Sequence, residues 1–188
     1  MNVMENYYDG DLINSPLKNY SQAEFYNCTF DSLNLTSVEF KDSKIIECKF
    51  IKCNLSNVIF LNASLMDVTF DECKCVGVNW STTNMLREIS FKESFLDYSV
   101  FQSLNLKGTH FANSSLKEVD FTDANLRNSN FANSNLQNAV FTGSDLSFSN
   151  LTEAMNYFIE PNYTKLNETK VSLPEAASIL TAMGLIVE

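Results

Sequence analysis

Five cysteines and one histidine are the side chains of this 188-residue chain best suited to metal or redox chemistry. Thiolate and imidazole ligands must converge on one ion, and the usual signature is a CxxC pair or a tight Cys/His cluster. Cys28, Cys48, Cys53, Cys73 and Cys75 form no CxxC, and His110 lies far along the chain from all of them. General acid–base work could fall to carboxylates, but these are scattered. With only five glycines there is no phosphate-cradling loop, and neither HExxH nor GxSxG occurs. The expectation is a protein that is not an enzyme and holds no metal or cofactor.

The cysteines belong instead to a larger pattern. Stepping by five from Phe25 meets Phe25, Phe30, Leu35, Phe40, Ile45, Phe50, Leu55, Phe60, Leu65, Phe70, Cys75, Trp80 and Met85, all apolar. After one extra residue the step resumes at Phe91 and runs through Leu96, Phe101, Leu106, Phe111, Leu116, Phe121, Leu126, Phe131, Leu136, Phe141 and Leu146 to Leu151. In a chain that is 45% hydrophobic, such a run arises by chance roughly once in a billion. On an α-helix a five-residue step rotates by about 140° and scatters these side chains around the cylinder. In a flat strand an odd step alternates faces. A five-residue period keeps pointing inward only if the chain turns a corner in every repeat, so each pentapeptide is one side of a coil. The position two before each centre shares the inward face and is small or compact, as at Ala23, Cys28, Cys48, Cys53, Ser114, Ala124 and Ser134. All five cysteines fall on inward positions and read as reduced core residues.

The segments Ala124-Asn-Leu-Arg-Asn, Ser134-Asn-Leu-Gln-Asn and Ser144-Asp-Leu-Ser-Phe resemble the A(D/N)Lxx pattern of the pentapeptide-repeat family. That resemblance implies an all-β fold, a right-handed quadrilateral β-helix with four pentapeptides per coil. Cys28 would then stack beneath Cys48 and Cys53 beneath Cys73, and Phe and Leu would form separate columns. The organisation expected is an N-terminal extension or cap over residues 1–21, a repeat domain over 22–155 with a one-residue slip near 81–90, and a C-terminal segment over 156–188.

Two interruptions could carry recognition. At the slip, Thr83, Asn84, Arg87 and Glu88 are candidate contact residues if the stretch projects; a tolerated insertion is the alternative. Past the repeat, residues 156–171 read as irregular. Residues 172–175, Ser-Leu-Pro-Glu, read as a capping box opening a helix of about ten residues, with Ala176, Ile179, Leu180 and Met183 on one face, followed by Leu185, Ile186 and Val187 as a short apolar strand. Ile179, Leu180, Met183, Leu185, Ile186 and Val187 are candidates for an end cap or a homodimer contact.

With 23 acidic and 13 basic residues the net charge is −10, which opposes direct binding of nucleic acid or anionic membrane. No basic start precedes an apolar run and no stretch is long enough to span a bilayer, so a cytoplasmic location is expected. Within its family the chain looks like the Qnr-type quinolone-resistance and microcin B17 immunity proteins. That resemblance implies a protein partner, DNA gyrase or topoisomerase IV, engaged by an acidic rod that imitates DNA. Glu39, Asp42, Asp120 and Asp123 fall on one side and are the candidate acidic surface. The alternative is an interaction scaffold for another protein.

Overall fold

The computed structural model describes residues 7–10, 12–13 and 19–187. They form a right-handed quadrilateral parallel β-solenoid of about 8 turns with one short helix at its C-terminal end. The regular elements are β1 (Tyr7–Asp9), β2 (Leu12–Ile13), β3 (Glu24–Tyr26), β4 (Thr29–Asp31), β5 (Lys44–Ile46), β6 (Lys49–Ile51), β7 (Ser64–Asp71), β8 (Met85–Lys92), β9 (Asn150–Leu151), β10 (Lys170–Val171) and α1 (Ala177–Ala182). On one side β1, β3, β5, β7 and β8 pair in parallel; on the next, β2, β4, β6, β7 and β8 do so. The other coils are linked by single parallel bridges at an interval of twenty residues, such as Asp120 to Val140, or twenty-one across the slip, such as Lys74 to Phe95.

Each pentapeptide follows one backbone plan. The centre Phe101 donates its N–H to Asp120 O (2.8 Å), Ser103 donates to Thr122 O (2.9 Å), and Asn125 of the next coil donates back to Leu104 O (2.9 Å). Two residues after each centre the chain enters the left-handed region, from Asn27 (φ 53°) to Glu153 (φ 58°). That corner lets a five-residue side point its centre inward every time. Asn, Asp and Gly tolerate it best, and they occupy many of these corners. A second support comes from the residue before the centre. Asn54, Asn125, Asn130 and Asn150 each turn a side-chain oxygen onto the N–H two residues on, at 3.1–3.2 Å, an Asx turn that satisfies a donor the coil-to-coil ladder leaves free.

Each of the four sides takes its name from an inward centre: the Phe40, Phe25, Phe30 and Leu35 faces. Every centre from Phe25 to Trp80 and from Leu86 to Leu151 is buried. Phe30, Phe50, Phe70, Phe91, Phe111 and Phe131 form one ring stack at 4.3–5.5 Å between centroids. Tyr20, Phe40, Phe60, Trp80, Phe101, Phe121 and Phe141 form the facing stack at 4.9–5.7 Å. The stacks meet edge to face, as for Phe91 and Phe101 at 80°, the arrangement aromatic quadrupoles favour.

The structure corrects three sequence expectations. Met85 is exposed and Leu86 is the buried centre, so the slip falls between Trp80 and Leu86 rather than after Met85. The extra residue is absorbed in a 3-10 turn, Trp80–Thr82, the one centre not followed by a left-handed corner. Asn84 and Met85 both direct their N–H to Ala63 O (2.9 and 3.4 Å), a bulge with no projecting loop.

The coil also continues past residue 155. Gly143 donates to Tyr163 O (2.7 Å), Asp145 bridges Lys165 and β10 pairs with β9. Only the corner near residue 156 departs from the five-residue step, where Tyr157 and Ile159 are the buried residues. At the other end Tyr8 stacks on Phe25 at 4.7 Å and β1 and β2 extend the coil, so the described part of residues 1–21 joins the solenoid. For residues 1–6, 11 and 14–18 the expectation of an extension or cap lies outside the described residues.

Finally, α1 has six residues rather than about ten. Ser172 is not its N-cap, because the Ser172 hydroxyl accepts the N–H of Glu153 (2.8 Å) and is no longer free to cap. Ala176 takes the N-cap position without a side-chain hydrogen bond. Residues 185–187 form no strand.

The ring stack yields a stability prediction. Phe111→Ala removes a fully buried ring stacked on both sides and should cost about 3–5 kcal/mol in urea unfolding, whereas Ala112→Ser on the outer surface should change stability by less than about 0.5 kcal/mol.

Candidate functional site

The inward face is filled by packed side chains. All five cysteines are free and buried, and four of their thiols point to carbonyl oxygens, as Cys28 does to Tyr26 O (3.3 Å) and Cys48 to Ile46 O (3.2 Å). Burial pushes the Cys48 thiol up to about 12 and raises Cys75 as well. Cys73 is raised by its hydrogen bond with Cys53 and by burial. Cys48, Cys73 and Cys75 therefore stay protonated, while the hydrogen bond with Cys73 lowers Cys53 against the effect of burial. Among the described residues no group of three His, Cys, Asp or Glu side chains could hold a metal ion, and no helix is long and apolar enough to cross a membrane. His110 is exposed on the Phe30 face, beside a depression of about 290 Å³ that Lys92, Glu93 and Asn113 also line.

Outward side chains are therefore where a partner would be read, and they are not equally free. Asp120 stands before a centre and works as an Asx acceptor, taking the Thr122 N–H at 2.9 Å and a bond from the Gln102 amide. Partial burial opposes its ionisation, but the bonds from Thr122 and Gln102 outweigh this and hold the carboxyl below its ordinary range. Asp145 does the same for the Ser147 N–H (3.0 Å) and pairs with Arg127 (3.3 Å). Asp123 sits at a left-handed corner, where its carboxylate occupies the space a Cβ on Gly143 would need. Asp42 accepts from Asn62 (3.2 Å).

The candidate acids Glu39 and Asp42 lie four coils from Asp120 and Asp123, roughly 19 Å at the strand spacing. Ile59, Leu61, Ser81 and Gln102 lie between them, so the structure does not bring the four together. At the slip, Thr83 folds back to give its hydroxyl to Trp80 O (2.8 Å) and Asn84 donates to Ser64 Oγ (3.1 Å). Arg87 and Glu88 lie on β8, paired at 3.7 Å. Thus Thr83 and Asn84 hold the bulge, while Glu88 belongs to a different array.

That array is the densest acidic feature. Ile46, Met66 and Arg87 are in register, so the corner residues that follow them, Glu47, Asp67 and Glu88, stand one above another, all exposed. Across the Phe30 face a second corner carries Glu72 and Glu93, with Asp71 beside them. Two rails rich in carboxylates thus run along opposite edges of one face, with Lys49 and Lys92 between; in the second rail Lys52 precedes Glu72 and pairs with it at 3.6 Å. The sequence interval that marks the first rail is twenty and then twenty-one, which becomes legible only once the slip is placed before Leu86.

At the C-terminal end Ile179 packs against the core, while Leu180, Met183, Leu185, Ile186 and Val187 are exposed. The six candidates therefore divide into one capping residue and five that present an apolar surface.

These features define a side-chain-filled repeat solenoid, a scaffold whose variable chemistry is confined to its outside. The chain matches the family model described as a pentapeptide repeat region over residues 23–101 and 84–151 and belongs to the pentapeptide-repeat family. Among solved structures it is similar to a trypsin-treated single-residue variant of QnrB1, a plasmid-mediated fluoroquinolone resistance protein, at 15% identity and a TM-score of 0.67 over 97% of both chains. A second trypsin-treated variant of the same protein gives 15% identity and 0.61 over 97% of both chains. Full-length QnrB1 gives 13% and 0.53 over 95% of this chain and 98% of that one. At these identities the likeness is one of fold. No curated relative matches the sequence.

Because the Asp120 carboxyl is lowered in the folded state, its contribution to stability is complete above the ordinary Asp range and is lost as pH falls through the folded value. Thermal unfolding from pH 6 to pH 2 should therefore show a smaller acid loss for Asp120→Asn, which keeps the acceptor, than for the unaltered protein. Asp120→Ala should be destabilised by about 1 kcal/mol even at pH 7, because Thr122 N–H loses its partner.

Proposed function

We propose that this protein binds bacterial DNA gyrase or topoisomerase IV through its acidic face and protects the enzyme from fluoroquinolones or a topoisomerase-directed toxin. The observation that carries this reading is the pair of carboxylate rails, Glu47, Asp67 and Glu88 on one corner and Glu72 and Glu93 on the next, on a protein of net charge −10. Stacked coils repeat a negative charge about every 4.8 Å along each rail, and two parallel rails present a cation-lined cleft with a rigid polyanion. A DNA-binding groove attracts such a surface by the same electrostatics that attract a duplex. The whole-length fold likeness to QnrB1, itself a fluoroquinolone resistance protein, supports the same reading.

A second reading is a stiff scaffold for another protein partner. It is favoured by the outward Asn, Ser and Thr that cover most of the Leu35 face, where Asn34, Asn54 and Asn135 serve the backbone rather than a partner.

Supercoiling by purified gyrase in the presence of ciprofloxacin separates the two. Titration of the protein from nanomolar to tens of micromolar should restore supercoiling. The triple variant Glu47→Lys, Asp67→Lys, Glu88→Lys should lose that rescue, while Asp42→Lys keeps it. No rescue with either gyrase or topoisomerase IV would leave the scaffold reading as the account of the fold.

We also infer that two copies join through the C-terminal end. Ile186 is 91% exposed and Met183 60%, and one closed two-fold contact would cover both along with Leu185 and Val187. Sedimentation equilibrium should give twice the 21.3 kDa chain mass, and Ile186→Arg with Met183→Glu should give the single-chain mass without a change in thermal unfolding of the coils.

A further inference from the structure

The Leu35 face is largely polar, apart from Met155 in its last coil and an aromatic pair in the coil that follows the slip. There residues 94–98 turn Leu96 into the core and leave Phe95 55% and Tyr98 58% exposed. Tyr98 stands at a left-handed corner (φ 63°), where a bulky side chain gains nothing from its own backbone. The comparable corner aromatic, Phe148, is covered by the Arg127 guanidinium at 4.9 Å. Neither Phe95 nor Tyr98 has an aromatic or cation–π partner among the described residues.

The charges around the two rings are unevenly committed. Lys74 stacks directly against Phe95 in register, and Ser115 follows it on the other side. The Asp97 carboxylate between the rings accepts the Ser115 hydroxyl (2.6 Å) and the Lys117 N–H (3.0 Å), replacing the Asx acceptor that Ser115 cannot supply. The Lys74 and Lys117 ammonium groups have no ion pair among the described residues. Glu118, the corner residue one coil beyond Tyr98, and Glu93, the corner residue two before Phe95, are the carboxylates at the two edges of the patch, neither in an ion pair among the described residues.

We propose that Phe95 and Tyr98 are the anchor of a protein contact, and that its occupant is an acidic segment of the partner carrying an apolar side chain. The apolar group packs over the two rings, and a carboxylate reaches Lys74 or Lys117. Glu118 at the Tyr98 edge and Glu93 at the Phe95 edge repel acid, so the segment's carboxylate is confined to the two ammonium groups. Exposed aromatics flanked by unpaired cations concentrate binding energy because large rings are desolvated at little entropic cost while the charges select the partner. The patch lies on the face next to the Phe30 face and meets the Glu72 and Glu93 rail at their shared corner, so it adds an apolar attachment point that a DNA duplex does not have. The chemistry of the occupant rests on this patch alone; its assignment to a topoisomerase rests on the reading above.

The test is surface-immobilised full-length protein probed with purified bacterial gyrase and topoisomerase IV. Phe95→Ser with Tyr98→Ser should weaken binding about tenfold or more, and Lys74→Glu with Lys117→Glu should weaken it in a manner that added salt diminishes, all with unchanged thermal unfolding. Phe148→Ser, an exposed aromatic on the Phe25 face, should leave affinity within about twofold of the unaltered protein. Retained affinity in the Phe95/Tyr98 double variant, or an equal loss in Phe148→Ser, overturns the patch while leaving the topoisomerase reading standing. Failure of the unaltered protein to bind either enzyme overturns both.

Discussion

The hydrogen bond from each centre's N–H to the carbonyl one coil further on is the interaction on which the rest of the molecule depends. It fixes the stacking distance at that of neighbouring strands and the sequence interval at twenty residues, or twenty-one across the slip. Once that interval is set, like stacks on like. Phe30 meets Phe50, Cys53 meets Cys73, Asn105 meets Asn125 through a side-chain bond of 3.0 Å, and Glu47 meets Asp67. The same rule that builds the core therefore draws the surface, since a residue type repeated at this interval becomes a column whether or not its side chain is buried.

The fold was legible in the sequence because twenty-six buried centres obey a five-residue step that neither a helix nor a flat strand can produce. Its frame was less so. Met85 lies five residues after Trp80 and Leu86 lies five before Phe91; both are apolar, and only the paired N–H groups on Ala63 O decide which one turns inward. The last coil was hidden for a different reason. Its backbone ladder needs no apolar centre, so Asn156 and Pro161 break the visible pattern while Tyr163, Lys165 and Asn167 still accept their hydrogen bonds. In the C-terminal segment the capping-box pattern was real as sequence, but the Ser172 hydroxyl is claimed by Glu153 of the neighbouring turn, a contact that no local pattern can reveal.

The interior position two before each centre, which holds four of the five cysteines, shows why they imply so little chemistry. Serine there donates to a nearby carbonyl, as Ser43 does to Phe40 O (2.7 Å), Ser134 to Phe131 O (2.6 Å) and Ser129 to Leu106 O (2.9 Å). Cys73 makes the same kind of contact with Phe50 O at 3.3 Å. The site asks for a small side chain that tolerates a carbonyl beside it, and Ala, Ser, Cys and Val all meet that demand. Cysteine in this place is a packing choice, a small side chain that fits beside a carbonyl.

The surface obeys a division of labour that decides which carboxylates are available to a partner. A residue just before a centre lends its oxygen to the N–H two residues on, so an Asp there, such as Asp120 or Asp145, is already spent on the backbone. A residue two after a centre needs only a left-handed backbone, and a long acid in that place, such as Glu47 or Glu93, holds its charge clear of the coil. Counting acids per side treats both kinds alike and finds the charge diffuse. Separating them by position in the pentapeptide removes Asp120 and Asp145 from the tally and leaves exposed corner carboxylates along the edges of the Phe30 face, Glu47, Asp67 and Glu93 without an ion pair and Glu72 and Glu88 with an exposed one. An acidic rod of this family can thus vary its partner-facing charge at corner positions without disturbing the hydrogen bonds that hold its coils, which is the property a rigid recognition surface requires.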